Sequence, residues 1–364
     1  MIGNRPRYAL DLGVLFPTIA LIVIGAFNLY SATSQTAVSK LFVMQLIWIA
    51  VGIVAMAVVL ILDYRIFERI AYFIYGFMIL LLGLVLVVGT SALGAKRWLA
   101  LGPVHFQPSD PMKIALILAL AKYFHNQRRD VAYRLRELVV PFVIIGVPAF
   151  LILVEPDLGT TLLLCFIAMA VIMFMKIRWQ SLLILVVLAL IAIPITWKFV
   201  LKDYQKGRIE TFLNPASDPK GKGYHSIQSM IAVGSGQLWG KGYRKGTQTQ
   251  LKFLPEQHTD FIFSVFAEEH GFFGSLVVIL LYLALLGFGI RVASRAKEKF
   301  GAILGLGCVS ILFWHMLINI GMITGIMPVV GVPLPFMSYG GSSLVTSMIA
   351  VGLLLNISMR RFIF

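Results

Sequence analysis

Charge is scarce in this chain. Asp, Glu, Lys and Arg make up 13% of its 364 residues, and hydrophobic types make up 59%. Soluble domains carry about a quarter charged residues, so this shortage excludes an ordinary soluble protein. The mean hydropathy of +0.90 agrees. Cysteine is nearly absent as well. Cys165 and Cys308 each sit inside an apolar run, which excludes a disulfide scaffold and a thiolate metal centre and leaves packing as their role. The six histidines show no H-x-x-H or H-x-x-x-H spacing, so no zinc site is built in. There is no G-x-x-x-x-G-K-[S/T] loop for ATP phosphates. Ser338-Tyr339-Gly340-Gly341-Ser342-Ser343 offers hydroxyls without the G-x-S-x-G elbow of a serine hydrolase.

What is present is apolar sequence in long runs. A spanning helix needs about 20 such residues. The runs predict an all-α polytopic membrane protein with ten transmembrane helices, at 12–31, 41–62, 68–90, 111–125, 138–154, 160–176, 181–200, 272–292, 301–324 and 338–358. The fourth and fifth are short, which points to positions in the protein interior or to little tilt. Arg5 and Arg7 precede the first run, and no small-residue cleavage site follows it, so it reads as a retained helix. The whole chain, 1–364, reads as a single transmembrane domain without internal repeats.

Ten spans put both termini on one side. With the termini in the cytoplasm, 17 Lys and Arg fall in inner segments, against Lys40, Lys96 and Arg97 in short outer loops. That bias orients the chain by the positive-inside rule, and long loops are exempt from it. The net charge of +15 is thereby mostly topology and does not call for a nucleic acid.

One stretch breaks the pattern. Residues 201–260, between the seventh and eighth spans, form a long polar loop that the topology places outside. It holds nine Lys and Arg, among them Arg208, and five carboxylates. A basic outer surface suits a phosphate-bearing lipid, and it also suits a merely solvated loop. The loop contains turn chemistry at Asn214-Pro215, Asp218-Pro219, Gly221 and Gly223, then an amphipathic stretch from His225 to Val233. A run of glycines follows, and the loop closes on Pro255-Glu256-Gln257-His258-Thr259-Asp260-Phe261. These signals predict a structured segment.

Three carboxylates stand at outer helix starts: Asp110 before Pro111, Asp157 before Leu158, and Asp260 before the eighth span. Each is a good N-cap residue. Each is also a functional candidate, because ionisable groups at membrane depth are costly. Lys113 lies one helical turn after Asp110, and Gly94-Ala95-Lys96-Arg97-Trp98 adds two cations and an amphipathic ring. Helix N-termini and cations hold phosphate, and a carboxylate takes a proton from an attacking hydroxyl. Together they suit transfer to or from a pyrophosphate-linked lipid. A helix dipole lowers a carboxylate's pKa and desolvation raises it; the sequence leaves the balance open.

Longer motifs carry a resemblance. Asn319, Gly325, Pro328, Gly331, Pro333, Pro335 and Ser338 to Ser343, with Lys96-Arg97-Trp98-Leu99, Gln107-Pro108-Ser109, Glu155-Pro156-Asp157-Leu158-Gly159-Thr160 and Leu254 to Phe261, resemble the SEDS family (shape, elongation, division and sporulation proteins) over nearly the whole chain. Asp203-Tyr204-Gln205, Phe212-Leu213-Asn214-Pro215 and Gly246-Thr247-Gln248 are more similar to its rod-elongation branch than to its division or sporulation branches. The resemblance implies ten helices in the bacterial cytoplasmic membrane. It implies a peptidoglycan glycosyltransferase that joins lipid II units into β-1,4 glycan on the outer face, by inversion at an undecaprenyl-pyrophosphate-linked donor. It implies a class B penicillin-binding protein as partner, with other membrane proteins of the elongation complex, and a divalent cation, magnesium or manganese, as the one cofactor in question. The family's essential aspartate falls on Asp260, with Lys96, Arg97, Trp98, Asp110, Lys113, Asp157, Arg208 and His258 as substrate-binding candidates. The family usually has Glu where this chain has Asp110, which makes Asp110 the weaker chemical candidate and an ion-pair partner for Lys113. Two other roles fit the same sequence: a flippase for the lipid-linked precursor, and a scaffold that only activates the penicillin-binding protein.

Overall fold

The computed structural model describes residues 10–33, 39–92, 95–101, 104–127, 132–200, 203–213, 222–251, 253 and 256–361. The cations Arg5, Arg7, Arg128, Arg129, Lys202, Lys220 and Lys252, the turn residues Asn214, Pro215, Asp218, Pro219 and Gly221, and Gly94, Leu254 and Pro255 lie outside these.

The elements in chain order are α1 (Leu12–Thr33), α2 (Ser39–Ile61), α3 (Tyr64–Val88), three strands β1 (Thr90–Ala92), β2 (Ala95–Leu101) and β3 (Val104–Phe106), then α4 (Ser109–Asn126), α5 (Val139–Val154), α6 (Leu158–Phe174), α7 (Trp179–Ile195), α8 (Asp203–Leu213), α9 (Lys222–Ser235), α10 (Thr247–Gln250), α11 (Ile262–Ser294), α12 (Lys299–Ile323) and α13 (Gly341–Arg360). Among the described residues seven helices are long and apolar enough to cross a membrane, and α6 and α7 are shorter apolar helices. The other is α4, whose 18 residues include Asp110, Lys113 and Lys122. These ten correspond to the ten expected spans, and the chain is a multi-pass membrane protein. Large apolar side chains such as Phe16, Phe73, Leu80, Phe150 and Trp179 stay exposed, as helices facing lipid require.

α4, α12 and α13 form the centre. α4 is buried continuously from Met112 to Ala121. It packs on α3 and α12, and α13 packs on α2. The short fourth span is thus interior, as expected. The fifth is not: Val139, Val143, Val147 and Phe150 of α5 are exposed. A 3-10 turn, Leu135–Leu138, leads into it, so the apolar segment is 20 residues long and its shortness was only apparent.

Two other features depart from the sequence reading. The strands Thr90–Ala92, Ala95–Leu101 and Val104–Phe106 form an antiparallel sheet in the order β1-β2-β3. The eighth span, expected from 272, is preceded by a further helical stretch: α11 starts at Ile262 and breaks at Gly271, where φ is 65° and ψ −160°. The break exposes carbonyls and N–H groups that a helix would pair internally. The loop after α9 satisfies them. Lys241 and Gly242 donate N–H bonds to the carbonyls of Glu268 and Glu269, and the Phe272 and Phe273 N–H groups donate to Gln237 and Leu238. Glu268, fully buried, accepts from Lys241 Nζ at 2.7 Å and from the Gln248 N–H at 3.0 Å. The amphipathic stretch expected at His225 to Val233 lies within α9, which packs on α11.

Candidate active site at one end of the bundle

The site is built on two loops clamped together. The turn 256–261 leads into α11, and the segment Val329–Ser338 leads from α12 towards α13. Three consecutive carbonyls of the turn are gripped from the other side. His258 accepts from the Tyr339 N–H at 2.9 Å. Thr259 accepts from Ser338 Oγ at 2.7 Å. Asp260 accepts from Asn319 Nδ2 at 2.9 Å. Asn319 Nδ2 also donates to Val332 at 2.7 Å, and Ser338 Oγ accepts the Leu334 N–H. From α1, Asn28 donates to the carbonyl of Ile262, and Gln257 reaches the carbonyl of Ala32. The backbone around Asp260 is therefore held on every side, which fixes its side chain.

Asp260 is half-buried and does not cap α11: the N-cap is Phe261, with no side-chain bond. Burial pushes its carboxyl up to about 6; Glu256 adds to this, Arg208 opposes it, and Asp157 adds a smaller rise. Burial is thus the largest influence on its proton affinity. Gly331, at φ +82°, stands so close that a Cβ there would lie 3.2 Å from Asp260 Oδ2.

The other candidates fall into two groups. In the first, Arg208 on α8 donates to the carbonyl of Val330 at 3.2 Å, next to Gly331. Arg97 on β2 donates to the carbonyl of Pro156 at 2.6 Å, and its Nε lies 3.6 Å from Asp157 Oδ2. Asp157 caps α6 through the Thr160 N–H at 3.2 Å. Its capping role is thus real, and its charge still acts on Asp260. Beside it, Glu155 is buried, with its carboxyl raised to about 8 by burial and by Asp157, against Arg97. His258 is half-buried, its Nε2 3.9 Å from Glu256 Oε2. Trp98 is half-buried on β2, in register with Thr90, and the Lys96 backbone pairs with Ser91.

The second group lies deeper. Lys113 is 2% exposed, bonded to Asp110 Oδ1 at 2.8 Å and to His315 Nε2 at 3.0 Å. The Asp110–Lys113 ion pair expected from spacing is present. The ammonium, however, points into protein and not onto an open surface. His315, Asn319 and Glu155 had no site role in the sequence reading, although Asn319 and Glu155 stood in its motifs. His315 was unreadable because its partner is 202 residues away. Glu268 and Glu269 had a usable signal, two carboxylates inside an apolar run.

Among the described residues no group of three or more His, Cys, Asp or Glu is set to hold a metal ion. The charge of Asp157 acts on Asp260; an ion that keeps substrate phosphates as ligands needs only one or two protein carboxylates.

Fold and site define a polytopic membrane protein with a carboxylate and two guanidinium groups gathered at one end of its bundle. A family model named for FtsW, RodA and SpoVE and described as "Cell cycle protein" matches residues 8–362, and the chain belongs to this family, the SEDS proteins. It is 42% identical over 353 residues to the peptidoglycan glycosyltransferase MrdB of Escherichia coli K12, covering 97% of this chain and 94% of that one. It is 36% identical over 358 residues to stage V sporulation protein E of Bacillus subtilis, covering 96% of each. Among solved structures it superposes on one described as "Structural coordination of polymerization and crosslinking by a peptidoglycan synthase complex", with TM-score 0.84, 32% identity and coverage of 98% and 99%. It also superposes on the rod shape determining protein RodA of Thermus thermophilus, with TM-score 0.73, 29% identity and coverage of 97% and 98%.

Proposed function

We propose that this chain is a peptidoglycan glycosyltransferase that polymerises lipid II during cell elongation. It works as one domain in the cytoplasmic membrane, with both termini inside and the Asp260 site facing outward. The observation that carries this reading is Asp260 itself: a half-buried carboxylate titrating at about 6, with Arg208 beside it. A base is most useful when its pKa lies near the working pH.

In the reaction, the 4-hydroxyl of the lipid II GlcNAc attacks the anomeric carbon of the undecaprenyl-pyrophosphate-linked glycan. Asp260 takes the hydroxyl proton as the new C–O bond forms. The bond from that carbon to the pyrophosphate oxygen breaks, and the leaving group carries away the electron pair. The single displacement inverts an α donor to a β-1,4 link. On this reading Arg97, Arg208 and Lys96 are the cations assigned to the pyrophosphate, and Trp98 and His258 border the sugars. Asp157 holds Arg97 in place, and the buried Asp110–Lys113 pair supports the site from behind. A magnesium or manganese ion brought by the pyrophosphate would be held by Asp260 or Asp157 and would neutralise phosphate charge. The likeness to a synthase complex supports a class B penicillin-binding protein as partner, within the larger elongation complex.

The test is purified protein, with and without its partner and with and without chelator, incubated with lipid II. Glycan polymer is expected. Translocation of labelled lipid II across vesicles without polymer would favour a flippase. Growth and partner binding that survive loss of Asp260 would favour a scaffold. A second expectation concerns Gly331→Ala. Its Cβ would press on Asp260 Oδ2 and force a positive φ on alanine. Polymerisation should fall about 10- to 100-fold, as small misplacements do, while partner binding persists. Full activity in this variant would mean that Asp260 is not held as described.

A further inference from the structure

α12 presents two buried polar side chains one turn apart, His315 and Asn319, and both grip the same short piece of backbone. His315 Nδ1 lies 3.1 Å from the carbonyl of Pro333. Asn319 Nδ2 lies 2.7 Å from that of Val332. Each has a second partner that leads to charged groups. His315 Nε2 meets Lys113 Nζ at 3.0 Å, and Asn319 Nδ2 meets the carbonyl of Asp260 at 2.9 Å.

The proton positions follow from donor counting. A lysine ammonium has donors only, so His315 Nε2 accepts from Lys113. The ring hydrogen therefore sits on Nδ1 and donates to Pro333. Both nitrogens are in use, and one tautomer satisfies both bonds. Spacing of i, i+4 puts the two side chains on one helix face. The result is an unbroken chain from the Asp110–Lys113 pair of α4, through His315, to the Val332–Pro333 peptide. From there it runs through Asn319 to the backbone of Asp260. Gly331, against the Asp260 carboxylate, belongs to the same segment.

We propose that His315 is a positioning residue for glycosyl transfer: it ties the buried Lys113 to the backbone segment that sets the place of Asp260. This rests on the reading of Asp260 as the base. His315 does not touch substrate. Its work is to accept from one side and donate to the other, and glutamine is the other neutral side chain of similar reach that does both.

The experiment compares His315→Leu, His315→Gln and the triple variant Asp110→Asn/Lys113→Met/His315→Met in the full-length protein with its partner, beside Asp260→Asn. His315→Leu should lower kcat for lipid II polymerisation about 10- to 100-fold, with KM little changed. His315→Gln should recover most of that loss. The triple variant leaves no buried charge without a partner, so it should melt close to wild type and still be slow. It keeps the test valid where His315→Leu fails to fold. Wild-type kcat in a folded His315→Leu or in the triple variant overturns the proposal, as does His315→Gln no faster than His315→Leu at equal melting temperature. An active Asp260→Asn overturns instead the reading of Asp260 as base.

Discussion

Asp260→Asn is expected to lose polymerisation by a factor of about 10²–10⁴, the range for removal of a general base, without losing stability. Asparagine has almost the same shape and keeps the backbone grip of Asn319 and Ser338 on this turn. The stability statement follows from the carboxyl titrating at about 6 instead of 3.8. Between these values the unfolded chain has released the proton and the folded chain still holds it. Folding stability contributed by this group therefore falls as pH rises from about 4 to 6, and the deficit persists above 6. Asparagine removes it, so the variant's melting temperature at pH 7.5 should match or exceed wild type. For the wild type, the anion is the base, so the polymerisation rate should drop as pH falls through about 6. An acid limb centred near 4 would show that burial does not act on this group. A fully active Asp260→Asn would remove the base assignment.

Much of this site is legible in the sequence because bilayers constrain sequences strongly. Apolar run length gave ten spans, since backbone in hydrocarbon must pair internally and so must be helical. Asp260, Asp157 and Arg97 stood out because charge near a membrane is costly. What the sequence left hidden depends on distant partners. Nothing near Lys113 says that its acceptor is His315. Nothing near Asp260 says that Ser338 and Asn319 hold its turn. The sheet at 90–106 was missed because short strands depend on their neighbours more than on their own residues. The helical stretch 262–270 before the eighth span was missed because Glu268 and Glu269 interrupt the apolar run. Their polar partners come from elsewhere in the chain: Lys241 and Gln248 donate to Glu268, and Ser31 donates to one oxygen of Glu269.

The same dependence decides which role each carboxylate takes. Asp157, Asp110 and Asp260 look alike in sequence, each near a helix start. Asp157 is committed to Thr160 and Arg97, and Asp110 to Lys113. Asp260 has neither a cap bond nor an ion-pair partner within 4 Å among the described residues, and its proton affinity is raised. A base must be free to accept a proton, so the group without such a commitment is the one suited to the chemistry.

The largest effect on folding is expected from Gly271→Ala. The backbone there, φ 65° and ψ −160°, is a conformation that essentially only glycine adopts, at a cost of about 1–3 kcal/mol for other residues. An added Cβ would lie 2.3 Å from the Gly240 amide nitrogen and 2.7 Å from the Leu238 carbonyl oxygen. Both are backbone atoms, so the strap from Gln237 to Gly242 must move away. Its four bonds to Glu268, Glu269, Phe272 and Phe273 go with it, at about 0.5–1.5 kcal/mol each. Lys241 is carried off with the strap, which leaves Glu268 charged and buried, a further penalty of about 3–5 kcal/mol. Together these approach the whole stability of a typical domain, about 5–15 kcal/mol. The control lies in the same helix. A Cβ added at Gly287 would meet no atom within 4 Å, and alanine is the better helix former by about 1 kcal/mol, so Gly287→Ala should match or exceed wild type. Thermal melts of detergent-purified protein, followed by size-exclusion chromatography, separate the two. If Gly271→Ala melts with Gly287→Ala, the break in α11 is not what holds the strap 237–242 in place.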